Sequence, residues 1–239
     1  EKIMGMVEHD CPVHCLAAQE HAWLTSERDR LLRESPPHIV VGSAGDGRSV
    51  GDFVAYLHRQ GSMDDYMPPH AIILCYQRRL FEDILLSEET VRPNLASTYR
   101  GLVTLASTKN RVAVLGDFGI GAPVAAAVLE EFVALGTRRF FSIGTAGSLQ
   151  RNLPIGHIVL CDRAIRDEGV SHHYLPSSTY AVAERAITAE LEAELQTRQI
   201  DYRRGSAWTI DAPYRETVAE ARHYQQQGCL LYTSDAADE

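Results

Sequence analysis

The chain has 239 residues and a formal net charge of −9, and 45% of its residues are hydrophobic. This length and composition predict one large α/β domain with enough apolar side chains to bury a core. The negative charge argues against a nucleic-acid surface, which would need a basic stripe, and no apolar run is long enough to span a membrane. The five cysteines, an odd number spread along the chain, fit no disulfide pattern and predict a reducing cytoplasm.

Residues 1–60 are predicted to form a helical and loop extension, with a helix over residues 52–58. Four potential metal ligands lie close together near its start: His9, Cys11, His14 and Cys15. Thiolate and imidazole groups bind zinc, but this spacing matches no standard zinc pattern, so no metal site is predicted. The glycine-rich run at residues 42–47 lacks the order of a dinucleotide-binding motif and is interpreted as a surface loop.

The first strand and helix of the main domain are predicted from residue 70 onward. Residues 70–76 form an apolar run typical of a buried strand, and residues 77–86 have a helical pattern. Arg78 and Arg79 therefore lie where a strand ends and a helix begins. Amide N–H groups and guanidinium groups converge on oxygen at such a place, which suits phosphate binding. A pair of solvated surface arginines is the alternative.

The most informative stretch spans residues 111–161. Apolar runs at 111–115 and 139–143 flank a helix predicted over 123–135, which is the pattern of a parallel βαβ unit. Each run ends in a turn of small residues, where backbone N–H groups can approach a ligand. Because ligands bind at the carboxyl ends of the strands in such sheets, the two turns predict a binding site. Their small residues are Gly116, Gly119 and Gly121 in the first turn and Gly144, Thr145, Ala146 and Gly147 in the second.

A second group of polar residues follows a third predicted strand at residues 155–161. The loop expected over 162–176 carries His172, His173 and several carboxylates, which supply proton donors and acceptors near neutral pH. A hydrated surface loop is the alternative. Further elements are a strand expected over 98–105, with Arg100 near its start, a helix over 180–199, a strand over 204–209 and a last helix over 218–227.

These segments together resemble the nucleoside phosphorylase/nucleosidase superfamily, in the branch that contains uridine phosphorylase and bacterial purine nucleoside phosphorylase. The resembling segments are GDFGIGAP (116–123), IGTAGSLQ (143–150), PIGHIVL (154–160), DEGVSHHYLP (167–176) and WTIDAPYRET (208–217). The resemblance implies a single α/β domain with a mixed, mostly parallel central sheet flanked by helices. It also implies phosphorolytic cleavage of the N-glycosidic bond of a purine or pyrimidine nucleoside, which releases the free base and (deoxy)ribose 1-phosphate.

The resemblance also implies roles for particular residues. Phosphate is expected to contact Arg79, Arg100, Gly144 and Thr145, with Arg100 as the candidate for an arginine supplied by a neighbouring subunit. The nucleoside is expected to contact Gly119, Gly121, Ala146, Gly147, His173, Asp211 and Tyr214. Inorganic phosphate would be a co-substrate, and no cofactor, metal, nucleic acid or membrane is expected. The expected assembly is a cytoplasmic, dimer-based homo-oligomer that could extend to a hexamer.

Three departures from the family pattern leave alternatives open. Ser142 stands where the phosphorylases have an arginine, which favours a hydrolytic nucleosidase as an alternative. Thr217 and Ala219 stand where uridine-specific members have Gln and Arg, so the base is not defined. Residues 229–239 resemble translated sequencing-adapter sequence and replace the ribose-binding Glu-Met-Glu motif of the family.

Residues 61–228 are therefore expected to be an incomplete phosphorylase-like domain, followed by a non-native tail. The catalytic residue is expected beyond Gly228, and this chain is expected to have lost activity. A non-catalytic nucleoside-binding domain is a further alternative. An NAD-binding domain is another, but the second strand of the βαβ unit ends in Ile143 and Gly144 and not in the acidic residue that binds a ribose diol.

Overall fold

The computed structural model of the protein describes residues 50–233. The histidine and cysteine cluster and the glycine-rich run at 42–47 lie outside these residues. The helices are α1 (Val50–Arg59), α2 (Arg78–Ser87), α3 (Ala122–Ala134), α4 (Arg185–Thr197) and α5 (Val218–Gln226). The strands are β1 (Ala71–Cys75), β2 (Thr90–Val91), β3 (Leu102–Leu105), β4 (Val112–Leu115), β5 (Arg139–Ile143), β6 (Gly147–Ser148), β7 (Ile158–Asp167), β8 (Tyr180–Val182), β9 (Tyr202–Ile210) and β10 (Leu231–Thr233).

The strands form two mixed five-stranded sheets flanked by helices. The predicted α/β class is confirmed, although one central sheet was expected and the strands divide between two. The first sheet has the order β2-β3-β4-β1-β5. β1 pairs in parallel with both β4 and β5, with Leu74 opposite Leu115 and Cys75 opposite Ile143. The predicted parallel βαβ unit, β4-α3-β5, is therefore confirmed, and β1 lies between its two strands.

The core of the first sheet lies between its strands and helices α1 and α3. Leu57 of α1, Ile72 of β1 and Phe132 of α3 are fully buried in one cluster. Burying a large apolar side chain contributes about 1.5–3 kcal/mol, so these contacts join α1 firmly to the sheet. Helix α1 lies within the predicted N-terminal extension, yet it packs as part of the domain core.

The second sheet has the order β6-β10-β9-β7-β8, and β7, β9 and β10 run parallel. Its core is formed around Trp208, which is buried together with Ile165, Leu149 and Cys229. The two sheets are joined directly, because β5 of the first leads through three residues into β6 of the second. β10 contains residues that were expected to belong to a foreign tail, and it pairs with both β9 and β6.

Strand β7 is longer than predicted, since residues 162–167 continue the strand and do not form a loop. β9 pairs with it as far as Asp167 opposite Ile210. A register shift between Cys161 and Arg163 interrupts the alternation of inward and outward side chains. Such a bulge removes the two-residue period by which a strand is identified from sequence.

The helix predicted over residues 180–199 begins later, because its first residues form strand β8. Tyr180 pairs with Ile165 of β7 in antiparallel register. Helix α4 then begins at Arg185, and the side chain of Glu184 caps it by accepting a hydrogen bond from the Ile187 amide at 2.8 Å. A three-residue edge strand next to a helix carries too few residues to show its own periodicity.

Candidate functional site

The two glycine-rich turns lie at the same edge of the first sheet. The first glycine turn (residues 116–121) follows β4 and the second glycine turn (residues 144–147) follows β5. Both strands are parallel to β1, so their carboxyl ends point in one direction. Adjacent strands are about 4.8 Å apart, which separates the two strand ends by roughly 10 Å. A small ligand can therefore reach both turns at once.

Tyr76 fills the space between the two turns. It follows β1 directly, and its amide donates a hydrogen bond to the carbonyl of Ile143 at 3.0 Å. Its ring packs edge-on against Phe118 of the first glycine turn, with ring centroids 4.9 Å apart. The two aromatic side chains thus form an apolar floor between the turns.

The two arginines at the start of α2 have different environments. Gln77 caps the helix, with its side chain accepting a hydrogen bond from the Leu80 amide. Arg78 forms an ion pair with Glu82 one turn along the helix, at 3.1 Å. Arg79 is exposed in the first helical turn and forms no ion pair with any residue in the described range. The surface-pair alternative therefore fits Arg78, and Arg79 remains the candidate anion ligand.

Arg100 lies beside the first glycine turn. The strand predicted over 98–105 begins only at Leu102, so Arg100 belongs to the preceding turn. The next residue, Gly101, accepts a hydrogen bond from the Gly116 amide at 3.1 Å. A Cβ atom on Gly101 would come within 1.8 Å of the Gly116 carbonyl oxygen, so only glycine permits this contact. The side chain of Arg100 is exposed at the same sheet edge as Arg79.

The packing of the fold requires glycine at only one of the two glycine positions in the second turn. At Gly147 a Cβ atom would come within 2.1 Å of the Tyr232 ring, so packing alone demands glycine there. At Gly144 the nearest contact would be 3.4 Å, to Cβ of Tyr76, and φ lies outside the positive region. The fold would therefore accept a side chain at Gly144. Thr145 and Ala146, between the two glycines, are exposed.

The chain that follows β7 forms a histidine loop (residues 168–178). The carboxylate of Glu168 accepts hydrogen bonds from the amides of Val170 at 2.6 Å and Ser171 at 2.9 Å. Burial raises the pKa of Glu168, but the hydrogen bonds from Ser171 and Val170 and the nearby His172 outweigh it, so the pKa lies below its ordinary value. Glu168 is thus an ionised group that shapes the start of the loop.

Asp211 and Tyr214, both predicted to contact the nucleoside, follow β9. The carboxylate of Asp211 accepts a hydrogen bond from the Gly169 amide at 2.7 Å, which ties this segment to the histidine loop. The side chain of Tyr214 is exposed. The structure therefore brings Asp211 and the histidine loop together, with Asp211 engaged by the main chain of that loop.

Arg166 is the principal site-region residue that the sequence did not reveal. It lies near the end of β7 and is only 7% exposed. Its guanidinium group makes hydrogen bonds throughout the histidine loop, including one to the side chain of Ser171 at 3.0 Å. The sequence pattern places this residue in a polar loop, where an arginine is unremarkable. A longer strand prediction would have placed this charged side chain within a strand, next to the buried Ile165.

The histidine loop also contacts the first sheet layer. Tyr174 donates a hydrogen bond to the carboxylate of Glu130 on α3. This bond, followed by partial burial and the charge of Glu130, raises the pKa of Tyr174 to about 12. The phenol therefore remains protonated and able to donate near neutral pH. His173 precedes Tyr174 and is exposed.

Residues 50–233 contain neither a metal-binding cluster nor a membrane-spanning helix. No group of three or more His, Cys, Asp or Glu side chains in that range is arranged to hold a metal ion. No helix in the same range has the length and apolar character needed to cross a membrane.

A family model described as "Phosphorylase superfamily" matches residues 72–233, which include both glycine turns and the histidine loop. The chain belongs to the phosphorylase superfamily. The match continues to residue 233 and so includes five of the residues that were expected to form a foreign tail. Of these, Cys229 is buried in the second core.

The phosphorylase superfamily relatives include proteins named for pyrimidine and purine nucleosides. Uridine phosphorylase from Haemophilus influenzae is 32% identical over 107 residues, which cover 45% of this chain and 42% of that protein. Uridine phosphorylase from Treponema pallidum is 36% identical over 108 residues, covering 45% and 40%. Guanosine phosphorylase from Halorubrum lacusprofundi is 29% identical over 119 residues, covering 50% and 49%. The matched part of this chain thus spans less than half of each of these relatives.

Solved structures of the superfamily share the fold. Uridine phosphorylase from Vibrio fischeri superimposes with a TM-score of 0.60 at 21% identity, covering 74% of this chain and 73% of that one. The Plasmodium knowlesi homologue of P. falciparum PNP superimposes with a TM-score of 0.54 at 20% identity, covering 71% and 70%. At this identity the likeness establishes the arrangement of sheets and helices, which agrees with the predicted fold class.

Proposed function

We propose that this protein acts as a nucleoside phosphorylase. In this reaction an oxygen of inorganic phosphate attacks the anomeric carbon of a nucleoside. The C–N bond breaks with its electron pair going to the base, and the products are the free base and (deoxy)ribose 1-phosphate. The observation that best supports the proposal is that both glycine turns leave the first sheet at one edge, with Arg79 and Arg100 at that edge.

The chemistry of the reaction explains why the sheet edge that carries the two glycine turns and the two arginines suits it. The transition state resembles an oxocarbenium ion, so a catalyst must hold an anion close to a developing positive charge. We assign phosphate binding to Arg79, to the hydroxyl of Thr145 and to the backbone around Gly144. Arg100 is assigned to phosphate as well, from this chain or from a neighbouring copy in a homo-oligomer. Guanidinium groups suit this role because their planar N–H donors match phosphate oxygens.

The nucleoside is assigned to the space above the aromatic floor of Tyr76 and Phe118. Gly119, Gly121, Ala146 and Gly147 would contribute backbone surface on either side. His173 is assigned to the sugar hydroxyls, since imidazole can donate or accept a hydrogen bond near neutral pH. Asp211 and Tyr214 are assigned to the base side, with Asp211 acting through the Gly169 amide that it binds.

A hydrolytic nucleosidase is the second candidate, and Ser142 is the observation that favours it. Ser142 is exposed at the end of β5, opposite Leu74 of β1. The resemblance predicts an arginine at this position in phosphorylases. With a neutral hydroxyl there, the site has one guanidinium fewer for a phosphate dianion, and water would be the alternative nucleophile.

The test is a comparison of nucleoside cleavage with and without phosphate. Because the catalytic residue is expected beyond Gly228, this test and the kinetic measurements below use the chain with the family's C-terminal segment in place of the residues after Gly228. This protein would be incubated with uridine and with guanosine, and the free base and sugar product would be separated by chromatography. We expect base release that requires phosphate, together with ribose 1-phosphate detected by phosphorus NMR. Free ribose formed without phosphate would identify a nucleosidase. Binding without turnover would identify a non-catalytic nucleoside-binding domain, and failure of both nucleosides to bind would contradict the proposal.

A further inference from the structure

We propose that Arg166 is a positioning residue that holds the histidine loop in the shape that presents His173 to the nucleoside. This inference rests on the proposed function for its substrate. Arg166 lies on β7, outside the two glycine turns, and it acts through the loop without contacting the substrate itself.

Every N–H group of the Arg166 guanidinium is satisfied by the histidine loop. A guanidinium group has five N–H donors. Nε donates to the Ser171 hydroxyl at 3.0 Å, and Nη1 donates to the Pro176 carbonyl at 2.6 Å and the Ser178 hydroxyl at 2.9 Å. Nη2 donates to the carbonyls of Ser171 and Leu175, both at 2.9 Å. The loop is therefore wrapped around one buried side chain.

This arrangement determines the conformation of the loop because the charge is buried. Arg166 forms no ion pair with a carboxylate within the described part of the chain, and moving an unpaired charge out of water costs several kcal/mol. Carbonyl and hydroxyl dipoles must offset that cost. The three carbonyls can point at one guanidinium only if the chain from Ser171 to Pro176 curls around it. An open loop would leave the cation unsatisfied.

Arg166 contacts His172 but not the adjacent His173. Nδ1 of His172 lies 3.4 Å from Nη2 of Arg166, and Nε2 lies 3.1 Å from the Arg166 carbonyl oxygen. Because the Arg166 carbonyl oxygen can only accept, Nε2 must carry the hydrogen, and the unprotonated Nδ1 faces Nη2. Both ring nitrogens of His172 thus face Arg166. Residues in a 3₁₀ helix are about 120° apart, so His173 projects in another direction and is exposed.

Two further hydrogen bonds connect the histidine loop to elements around the proposed site. Gly169 is bound to Asp211 at the end of β9, and Tyr174 is bound to Glu130 on α3. Helix α3 begins at the end of the first glycine turn. A change at Arg166 would therefore displace His173 while leaving in place both glycine turns, which follow β4 and β5 of the first sheet.

The kinetic test compares Arg166→Lys with a control on the same strand, Arg163→Lys. Lysine keeps the charge but has three N–H donors, so it cannot satisfy all the loop acceptors. Arg163 is exposed and lies over the Tyr180 ring. We expect Arg166→Lys to raise the KM for nucleoside by about tenfold, the effect of losing one substrate hydrogen bond, with the KM for phosphate little changed. We expect Arg163→Lys to match the unaltered protein. A folded Arg166→Lys protein with equal changes in both KM values would overturn the proposal.

A second measurement needs no turnover. In ¹⁵N-histidine NMR spectra of the unaltered protein, with His172→Gln used to assign the signal, His172 should be protonated at Nε2. Hydrogen exchange of the backbone N–H groups between residues 171 and 178, other than Pro176, should accelerate in Arg166→Lys but not in Arg163→Lys. A His172 protonated at Nδ1, or unchanged exchange, would overturn the positioning role whether or not the protein cleaves nucleosides. Normal loop behaviour with no nucleoside binding would instead overturn the proposed function. If Arg166→Lys does not fold, Ser178→Ala, which removes one acceptor, should produce a smaller acceleration of the same amides.

Discussion

Arg78 and Arg79 are adjacent, but only one of them is free for a ligand in the described part of the chain. We expect Arg79→Ala to weaken phosphate binding by about tenfold or more, since a charge-assisted hydrogen bond contributes about 1.5–3 kcal/mol. The affinity for nucleoside should change far less. Titration calorimetry with inorganic phosphate and, separately, with nucleoside would measure both effects.

Arg78→Ala is the matched control for this substitution. Arg78 is exposed and paired with Glu82, and such surface pairs contribute about 0–1 kcal/mol. We expect phosphate affinity and stability to be nearly unchanged. Equal losses of phosphate affinity in the two variants would mean that general positive charge, and not a specific contact from Arg79, attracts the anion.

The second glycine turn provides a test at the same scale. Gly144→Ala should change the free energy of unfolding by less than about 1 kcal/mol, since the fold accepts a Cβ there. It should nevertheless reduce phosphate affinity, because the added methyl group would occupy space assigned to the ligand. Gly147→Ala should instead destabilise the protein by about 1–3 kcal/mol through overlap with the Tyr232 ring. Urea denaturation and calorimetry would measure the two quantities, and unchanged phosphate affinity in Gly144→Ala would contradict the assignment.

At the scale of elements, the contribution of the histidine loop to the stability of the fold should depend on pH because of Glu168. The pKa of Glu168 is lower in the folded protein than its ordinary value, so its ionised form stabilises the fold. This contribution is complete above the unfolded pKa, about 4.3, and is lost as the pH falls through the lower folded value. We expect Glu168→Gln to be less stable than the unaltered protein at pH 7, with the difference shrinking below about pH 4. Thermal melts of both proteins across that range would measure it, and a difference independent of pH would show that the charge contributes nothing.

The sequence predicted most helices within a few residues but not the order of the strands. Helix α3 was expected over 123–135 and spans Ala122–Ala134, because its apolar period, its early proline and the following glycine all favour the same limits. Which strand lies between β4 and β5 depends on contacts distant in sequence, and no local pattern records it. Strand β8 was missed because three residues do not establish a period.

The candidate site was predictable to the extent that it depends on strand direction. Parallel strands bring their carboxyl ends to one edge, so the βαβ pattern alone is enough to place the two glycine turns together. The role of Arg166 could not be predicted, because it depends on burial beneath a loop. The hydrogen bond of Asp211 to Gly169 likewise joins segments that are 42 residues apart in the chain.

At the scale of the whole molecule, helix α1 extends the folded unit beyond the predicted boundary at residue 61. Leu57 is fully buried against α3, and its neighbour Tyr56 is 46% exposed. We expect Leu57→Ala to lower the free energy of unfolding by about 2–5 kcal/mol, since it leaves a cavity in the core. Tyr56→Ala should cost less than about 1 kcal/mol. Urea denaturation would separate the two, and similar small losses would show that α1 is dispensable.

The turn between β5 and β6 is the shortest covalent path between the two sheets, and it carries the backbone assigned to phosphate. An anion bound at this turn would contact atoms that belong to both sheets. The free energy of anion binding would then stabilise both sheets against unfolding, and not the first sheet alone. Saturating phosphate should therefore slow the hydrogen exchange of backbone amides in β9 and β10 as well as in β1 and β4, although it contacts none of these four strands.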